Sequence, residues 1–146
     1  MSAKSALYDS DFYAWSNQQA ALLRAGELGN ADLENIAEEI ESMGRSEKRE
    51  LASRLKVLLL HLLKWQFQPG RRGPSWQASI QVQRHDIAIH MRDNPSLKAK
   101  VQETIADAYY TAAIEAGVET GLLRSAFPAA CPYSFGQMTD NAFWPD

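Results

Sequence analysis

The sequence predicts an all-α fold, a compact bundle of about five up-and-down helices with a long central third helix. Apolar residues recur at spacings of three and four along most of the chain, and the alternating β-branched runs typical of strands are absent. Gly and Pro residues fall between these periodic segments, where helices end. Because 146 residues with 45% hydrophobic content suffice for one core, we expect a single helical domain over residues 1–146.

The first two helices are predicted from their caps and breaks. Asp9 is a suitable N-cap for a first helix that continues to about Ala25. A second helix is expected over about residues 31–43, with Gly44 as its end. Its buried stripe consists of four apolar residues at helical spacing: Leu33, Ile36, Ile40 and Met43.

The third helix is the predicted centre of the fold. Ser46 can cap a helix of about twenty residues that ends before Pro69. Apolar residues occupy both faces of this helix, and a helix that is apolar all round is normally enclosed by its neighbours. They are Leu51, Leu55, Leu58, Leu62 and Trp65 on one side, and Leu60, Leu63 and Phe67 on the other.

Two further helices and a packed tail complete the predicted fold. The loop over residues 68–75 precedes a fourth helix that continues from about Trp76 to Asp93, and Pro95 opens a fifth helix. The segment from Phe127 to the end contains three prolines and four aromatic residues after Phe127, too apolar a composition for a disordered tail. We therefore expect an irregular, aromatic and proline-rich C-terminal extension that packs on the bundle.

Composition narrows the classes of partner and the cellular location. A net charge of -3 argues against a surface built to bind a polyanion, so nucleic acid is an unlikely partner. The apolar run Val57 to Leu63 is too short to span a bilayer, and the N-terminus lacks the apolar core of a signal peptide. Cys131 is the only cysteine, which excludes an intramolecular disulfide and fits a reducing compartment. We expect a cytoplasmic protein without a membrane segment.

Carboxylates beside an apolar stripe form the first candidate site. Asp32 and Glu39 lie two turns apart on one face of the predicted second helix. Arg54 and His61 have the same separation on the next helix, which we expect to be antiparallel. Arg84 falls inside the apolar stripe of the fourth helix. The candidate catalytic residues are therefore Asp32, Glu39, His61 and Arg84.

Buried ion pairs are the favoured interpretation of these charges. An inward carboxylate such as Glu39 has a possible inward arginine partner in Arg54 or Arg84, and such a pair can fix helix register. No cofactor is expected, because the metal-binding patterns Glu-x-x-His and His-Glu-x-x-His are absent from the sequence. A divalent metal is the alternative, and its ligands would be Asp32, Glu39, His61 and His90.

The second candidate site is the loop over residues 69–75. Arg71 and Arg72 precede Ser75, a plausible N-cap, and a helix start offers free amide groups to an anion. The alternative interpretation is an exposed turn whose arginines only favour solubility. Together the two sites give the candidate binding residues Arg54, Arg71, Arg72, Ser75, Trp76 and Glu119.

Short sequence blocks along nearly the whole chain carry a family resemblance. They are Tyr8-Asp-Ser-Asp-Phe-Tyr-Ala-Trp15, Glu38-Glu-Ile-Glu-Ser-Met-Gly44, His61-Leu-Leu-Lys-Trp65, Gln68-Pro69, Ser75-Trp76, Pro95-Ser-Leu97, Glu119-Thr-Gly-Leu122 and Phe127-Pro128. In this order and spacing they resemble the bacterial domain of unknown function family 29. The resemblance implies a small, mostly helical bacterial domain without an established activity, so it supplies no catalytic residue.

The sequence favours an intracellular interaction or regulatory module that binds an unidentified protein partner. The nucleophile motif Gly-x-Ser-x-Gly is absent, and no other catalytic signature is recognisable. The alternative is a metal-assisted or acid-base enzyme that uses the first candidate site. A concave polar pocket that joins those side chains would favour the enzyme, whereas an exposed apolar patch would favour the partner.

Overall fold

The computed structural model describes residues 3–146, with side chains described from Ala6 onward. Within that range the chain forms α-helices joined by short 3₁₀ segments, and it contains no strand. The all-α class and the long central helix are therefore confirmed. The helices are α1 (Ala3–Ser10), α2 (Phe12–Arg24), α3 (Leu33–Phe67), α4 (Pro74–Asp93), α5 (Val101–Thr120) and α6 (Phe135–Thr139).

The predicted first helix is two helices, α1 and α2, in the structure. Asp11 separates them with a non-helical φ of -151°, and its side chain caps α2 by accepting a hydrogen bond from the Ala14 amide at 3.0 Å. Asp11 therefore serves the role that the sequence assigned to Asp9. The predicted end is correct, because α2 ends at Arg24 and Gly26 has a left-handed φ of 73°.

The predicted second and third helices are one continuous helix, α3. The predicted end at Gly44 and the antiparallel arrangement of the two segments are therefore wrong. An interior glycine costs about 1 kcal/mol relative to alanine, which is not enough to stop a long helix. Arg45 also pairs with Glu38 at 2.9 Å and Glu41 at 3.8 Å, so ion pairs bridge the glycine position.

The chain divides into two compact units, Met1–Ser46 and Glu47–Asp146. The predicted organisation as a single domain stays a prediction. In the N-terminal unit, Trp15 is 3% exposed and packs edge-on against Tyr8, with ring centroids 4.7 Å apart. The Tyr8 ring also lies 5.8 Å from that of Phe12 on α2. These aromatic contacts pack α1 against α2.

The core of the C-terminal unit is built on the apolar half of α3. Leucines on several sides of this helix are fully buried, as predicted for a helix that is apolar all round. Alanines on α5 allow its backbone to approach closely, and Ala112, Ala113 and Ala116 are also fully buried. The cluster includes Leu51, Leu55, Leu58, Leu59, Leu62, Leu63, Ile80, Ile87, Val101 and Ile105.

The ends of α4 and α5 differ in detail from the prediction. Gly73 occupies the N-cap of α4 and Pro74 follows it, so Ser75 lies inside the helix and is not the predicted cap. Pro95 opens a 3₁₀ segment, Pro95–Lys100, before α5 begins. Gly121 closes α5 with a left-handed φ of 77°.

The C-terminal extension packs on the core as predicted. Tyr133 and Met138 are buried, and the Tyr133 hydroxyl donates a hydrogen bond to Gln66 Oε1 at 2.6 Å. The Trp144 ring lies 4.7 Å from that of Trp65 on α3. The extension therefore completes the core of this unit. Among the described residues no helix combines the length and apolar character that crossing a bilayer requires.

Candidate functional site

Asp32 links α2 to the start of α3 inside the N-terminal unit. Its carboxylate accepts hydrogen bonds from Trp15 Nε1 at 3.1 Å and from Asn35 Nδ2 at 2.8 Å. The Asp32 amide donates to the buried Gln19 Oε1 at 2.7 Å. Asp32 is 8% exposed, and a largely buried carboxylate needs hydrogen-bond partners. These local contacts supply them at the turn that precedes α3.

Glu39 is half-buried on α3, as the helical phase predicted. The apolar stripe predicted to be buried beside it is wrong, because Leu33, Ile40 and Met43 are 51%, 60% and 64% exposed and the last two border an open groove. Glu38 and Glu41 are exposed, which also agrees with that phase. The sequence predicted an arginine as the partner of Glu39, but the partner in the structure is the Tyr8 hydroxyl, which donates a short hydrogen bond. This bond and the nearby negative charge raise the pKa of Tyr8 to about 12.

His61 is half-buried on α3 and bonds to its own helix. Its Nδ1 lies 2.8 Å from the carbonyl oxygen of Val57, an acceptor, so Nδ1 carries the proton. That proton prevents Nδ1 from acting as a metal ligand in this arrangement. The His61 ring is thus held by a hydrogen bond to the backbone of its own helix.

Arg84 is 2% exposed, which confirms its predicted inward position on α4. Its hydrogen bonds go to the backbone oxygens of Met138 and Phe143, at 2.8 and 2.6 Å, rather than to the predicted carboxylate. The guanidinium also lies 5.2 Å from the Trp144 ring. Burial lowers the pKa of Arg84, and the nearby Asp140 opposes that change.

The arginines of the predicted anion loop have different environments. Arg72 Nε donates to the Trp65 carbonyl at 2.6 Å and its Nη2 donates to the Pro145 carbonyl at 3.3 Å. Its guanidinium also lies 5.2 Å from the Trp65 ring. Arg71 and Ser75 are exposed. Arg72 therefore connects α3 to the C-terminal extension, and its donors point at protein rather than at an anion.

Lys64 contacts the remaining two predicted binding residues, Trp76 and Glu119. Its ammonium lies 4.9 Å from the ring centroid of half-buried Trp76 and 3.6 Å from Glu119 Oε2. The partner of Glu119 is therefore this lysine and not an arginine. Because Lys64 is 9% exposed, the contacts with the ring and the carboxylate compensate a largely buried charge.

An apolar groove lies in the N-terminal unit between α2 and the first turns of α3. Its volume is about 170 Å³. Three of its side chains project into solvent although they are apolar: Leu23 is 40% exposed, Ile40 is 60% exposed and Met43 is 64% exposed. Three others line its floor and walls, Trp15, Ala20 and Ile36. We call this surface the apolar groove.

A polar cleft lies in the C-terminal unit between α3 and α4, with a volume of about 430 Å³. Arg54 bridges it, donating to Glu50 Oε1 at 3.0 Å and to Asp86 Oδ2 at 3.1 Å. His90, 7% exposed, closes one side. Six charged or ionisable residues of the cleft are Glu47, Glu50, Arg54, Asp86, His90 and Asp93.

The sequence prediction named two residues of the polar cleft, Arg54 and His90, and missed its acids. The available signal was the hairpin formed by α3 and α4. Glu50 and His90 lie at nearly equal distances along the chain from the connecting loop, and such residues face each other in an antiparallel pair. The misplaced helix end at Gly44 hid this relationship, because it paired the predicted third helix, which carries both acids, with the second helix and not with the fourth.

Comparison with known proteins agrees with the sequence blocks described above. No curated protein and no solved structure matches the chain significantly. A family model described as Domain of unknown function DUF29 matches residues 7–144, nearly the whole chain. The chain therefore belongs to the family of the domain of unknown function DUF29.

Proposed function

We propose that this protein is an interaction module whose apolar groove binds the apolar face of a positively charged amphipathic helix from another protein. The observation that carries the proposal is the exposure of Leu23, Ile40 and Met43 beside a groove in an acidic unit. A helix that docks in a groove supplies apolar side chains at one face, and such side chains match this surface. A cytoplasmic location belongs to the same proposal and is supported by the unpaired Cys131.

The size of the groove favours side chains over a small molecule. Pockets for small ligands usually measure about 300–1,000 Å³ and enclose most of the ligand. The volume of about 170 Å³ is below that range. Met43 at the rim has a flexible, polarisable side chain that can adapt to a partner surface. A groove of this size can therefore hold one or a few side chains that anchor a partner helix.

Charge determines which helix is the best occupant. The N-terminal unit, Met1–Ser46, contains eight Asp and Glu residues and three Lys and Arg residues, a net charge of -5. This charge repels a second copy of the same unit, an anionic membrane and a nucleic acid. It attracts lysine and arginine on the polar face of an approaching helix and increases its association rate. The partner is therefore a basic amphipathic helix.

Synthetic helical peptides test the proposal with the full chain. The probe is a labelled Leu/Lys amphipathic peptide, compared with a scrambled peptide of the same composition and with a Leu/Glu amphipathic peptide. Fluorescence anisotropy should show binding of the Leu/Lys peptide that is at least about tenfold tighter than binding of either control peptide. Equal affinity for the scrambled peptide would overturn the proposal, because charge alone would then explain binding.

Two matched substitutions locate the binding surface. Ile40→Ser removes a 60% exposed apolar side chain from the groove, and Val118→Ser removes an 81% exposed apolar side chain from α5. Ile40→Ser should weaken the Leu/Lys peptide by about tenfold, the effect of losing one buried aliphatic side chain at an interface. Val118→Ser should leave the affinity unchanged. Equal effects of the two substitutions, or a dimer that Ile40→Ser dissociates in sedimentation, would contradict the proposed partner.

A further inference from the structure

We infer that Glu47, Glu50 and His90 bind a divalent first-row transition-metal ion in the polar cleft. One ligand atom from each of these three side chains lies within 4.8 Å of the other two. The side chains come from facing helices, with both carboxylates on α3 and the imidazole on α4. Helical bundles build metal sites from side chains of facing helices. Here the imidazole is buried, and the Glu47 and Glu50 side chains lie at the open side of the cleft, 47% and 43% exposed.

The α3 ligands are arranged by helix geometry. Glu47 and Glu50 are three residues apart, a separation that places two side chains on the same face of a helix. Arg54, one turn further along α3, donates two hydrogen bonds to Glu50 Oε1, at 3.0 and 3.2 Å. The other oxygen of Glu50, Oε2, faces His90 at 3.4 Å from Nδ1. Arg54 thus orients Glu50 and leaves Oε2 for the ion.

The hydrogen bond of His90 specifies which of its nitrogen atoms is the ligand. Nε2 lies 2.8 Å from the backbone oxygen of Glu47, which can only accept, so Nε2 carries the proton. In the neutral imidazole, Nδ1 then presents a lone pair to the carboxylate oxygen of Glu50, which is also an acceptor. A cation bound between His90 Nδ1 and Glu50 Oε2 removes the repulsion of these two acceptors, because both then serve as its ligands. Metal-bound histidines commonly donate their second nitrogen to a backbone carbonyl in this way.

Burial and charge favour an ion at this place. His90 is 93% buried, so few water molecules can reach the imidazole from outside the cleft. The cleft is lined by four carboxylates and one arginine, an excess of three negative charges when His90 is neutral. The acids beyond the proposed ligands are Asp86 and Asp93, and they add to the negative potential that attracts a cation.

The ligand types indicate the class of metal. An imidazole nitrogen with two carboxylate oxygens suits zinc, manganese or iron(II), whereas calcium and magnesium prefer oxygen ligands throughout. Three protein ligands leave at least one coordination position for water. The metal site is independent of the proposed peptide groove, since its residues lie in the other unit.

Calorimetric titration of the untagged full chain, freed of metal with a chelator, with zinc sulfate and separately with manganese chloride tests the site. We expect one ion per chain for at least one of the two metals at neutral pH. Melting temperature should rise by roughly 5–10 °C at a free metal concentration about a hundred times Kd, because the ion binds the folded state. Absence of heat and of any melting shift with both metals would overturn the inference.

Matched substitutions separate this site from other acids and histidines. Glu47→Gln and His90→Asn should each weaken metal binding by about tenfold or more. Glu34→Gln and His85→Asn, on exposed positions of α3 and α4, should leave it unchanged. The Glu47 side chain is 47% exposed, so Glu47→Gln retains the fold even where the substitution at buried His90 does not. Unchanged affinity in Glu47→Gln, or equal losses in the controls, would place the bound ion elsewhere and contradict the inference.

Discussion

Arg84 connects α4 to the C-terminal extension through a hydrogen bond from its Nε to the backbone oxygen of Met138, at 2.8 Å. The same guanidinium donates to the Phe143 oxygen at 2.6 Å and lies over the Trp144 ring. Backbone oxygens in the last turn of a helix, such as that of Met138 in α6, and in an irregular segment, such as that of Phe143, need donors from elsewhere in the protein when they are buried. Arg84 supplies two such donors, so it holds the extension on the core while its own charge is stabilised by carbonyl dipoles.

Arg84→Met should therefore destabilise the protein by about 3 kcal/mol or more. The substitution leaves two carbonyl oxygens without their charged donor, and each such bond contributes roughly 1.5–3 kcal/mol. Urea unfolding measures the loss. Arg92→Met is the matched control on the same helix, where the side chain is 72% exposed, and it should change stability by less than about 0.5 kcal/mol. Similar costs at both positions would mean that Arg84 does not hold the extension.

Arg72 and Arg71 form a second matched pair, in adjacent positions of the α3–α4 loop. Arg72→Met removes donors from the Trp65 and Pro145 carbonyls and a contact with the Trp65 ring. We expect a loss of about 2 kcal/mol in urea unfolding. Arg71→Met should have little effect, because Arg71 is exposed. If Arg71→Met were the more destabilising change, the assigned roles of the two arginines would be reversed.

The bond between Tyr8 and Glu39 gives the N-terminal unit a dependence on alkaline pH. Because the bond requires a protonated phenol, the folded pKa of Tyr8 is about 12, above its ordinary value of 10.0. A raised folded pKa means that the contribution of the bond to stability is complete below about pH 10 and is lost as pH approaches about 12. Phenolate absorbance of the wild type and of Tyr8→Phe should be followed as pH rises. The difference between the two curves gives the titration of Tyr8 alone.

Glu39→Gln provides the control for that titration. The amide removes the negative charge and weakens the acceptor, so the pKa of Tyr8 should fall towards its ordinary value. Glu38→Gln should have a much smaller effect, because the Glu38 carboxylate is paired with Arg45 and does not accept the Tyr8 proton. A Tyr8 titration that is unchanged in Glu39→Gln would show that Glu39 is not the partner in solution.

Helix class and the burial of the apolar half of α3 were predictable because they follow from periodicity within one helix. The burial predicted for Leu33, Ile40 and Met43 was wrong, because periodicity does not show whether another element covers an apolar face. Glu39 and Arg84 both lie on the inward faces that the counts indicated, and Trp15 is buried. The hydrogen-bond partners of these two charged residues were less predictable, since each partner lies far from its residue in the sequence. Tyr8 is 31 residues from Glu39, and Arg84 is 54 residues from Met138. A search for opposite charges cannot find either contact, because the partners are a phenol and a backbone carbonyl.

The acids of the polar cleft were missed for a different physical reason. Treating Gly44 as a helix end overestimated what one glycine costs. It made the second and third helices antiparallel neighbours, so the partners of the third helix were sought on the second helix and not on α4. Recognition of one long α3, antiparallel to α4, would have brought both acids opposite His90. The boundary error and the missed site therefore have the same cause.

The continuity of α3 at Gly44 predicts that Gly44→Ala stabilises the protein. Gly44 has a negative φ inside the helix, and no atom lies within 4 Å of the position that an added Cβ would occupy. Alanine should therefore raise the free energy of unfolding by about 0.5–1 kcal/mol, through higher helix propensity and a less flexible unfolded chain. Urea unfolding measures the change in the free energy of unfolding, and far-ultraviolet circular dichroism measures the helix content of the variant.

Gly121→Ala is the control for that substitution, because the same chemical change should have the opposite sign. Gly121 adopts a φ of 77° at the end of α5, a conformation that costs an alanine roughly 1–2 kcal/mol. Stabilisation at position 44 together with destabilisation at position 121 is the result that a continuous α3 requires. Destabilisation at both positions would indicate that Gly44 ends a helix in solution, and α3 would then consist of the two helices that the sequence first predicted.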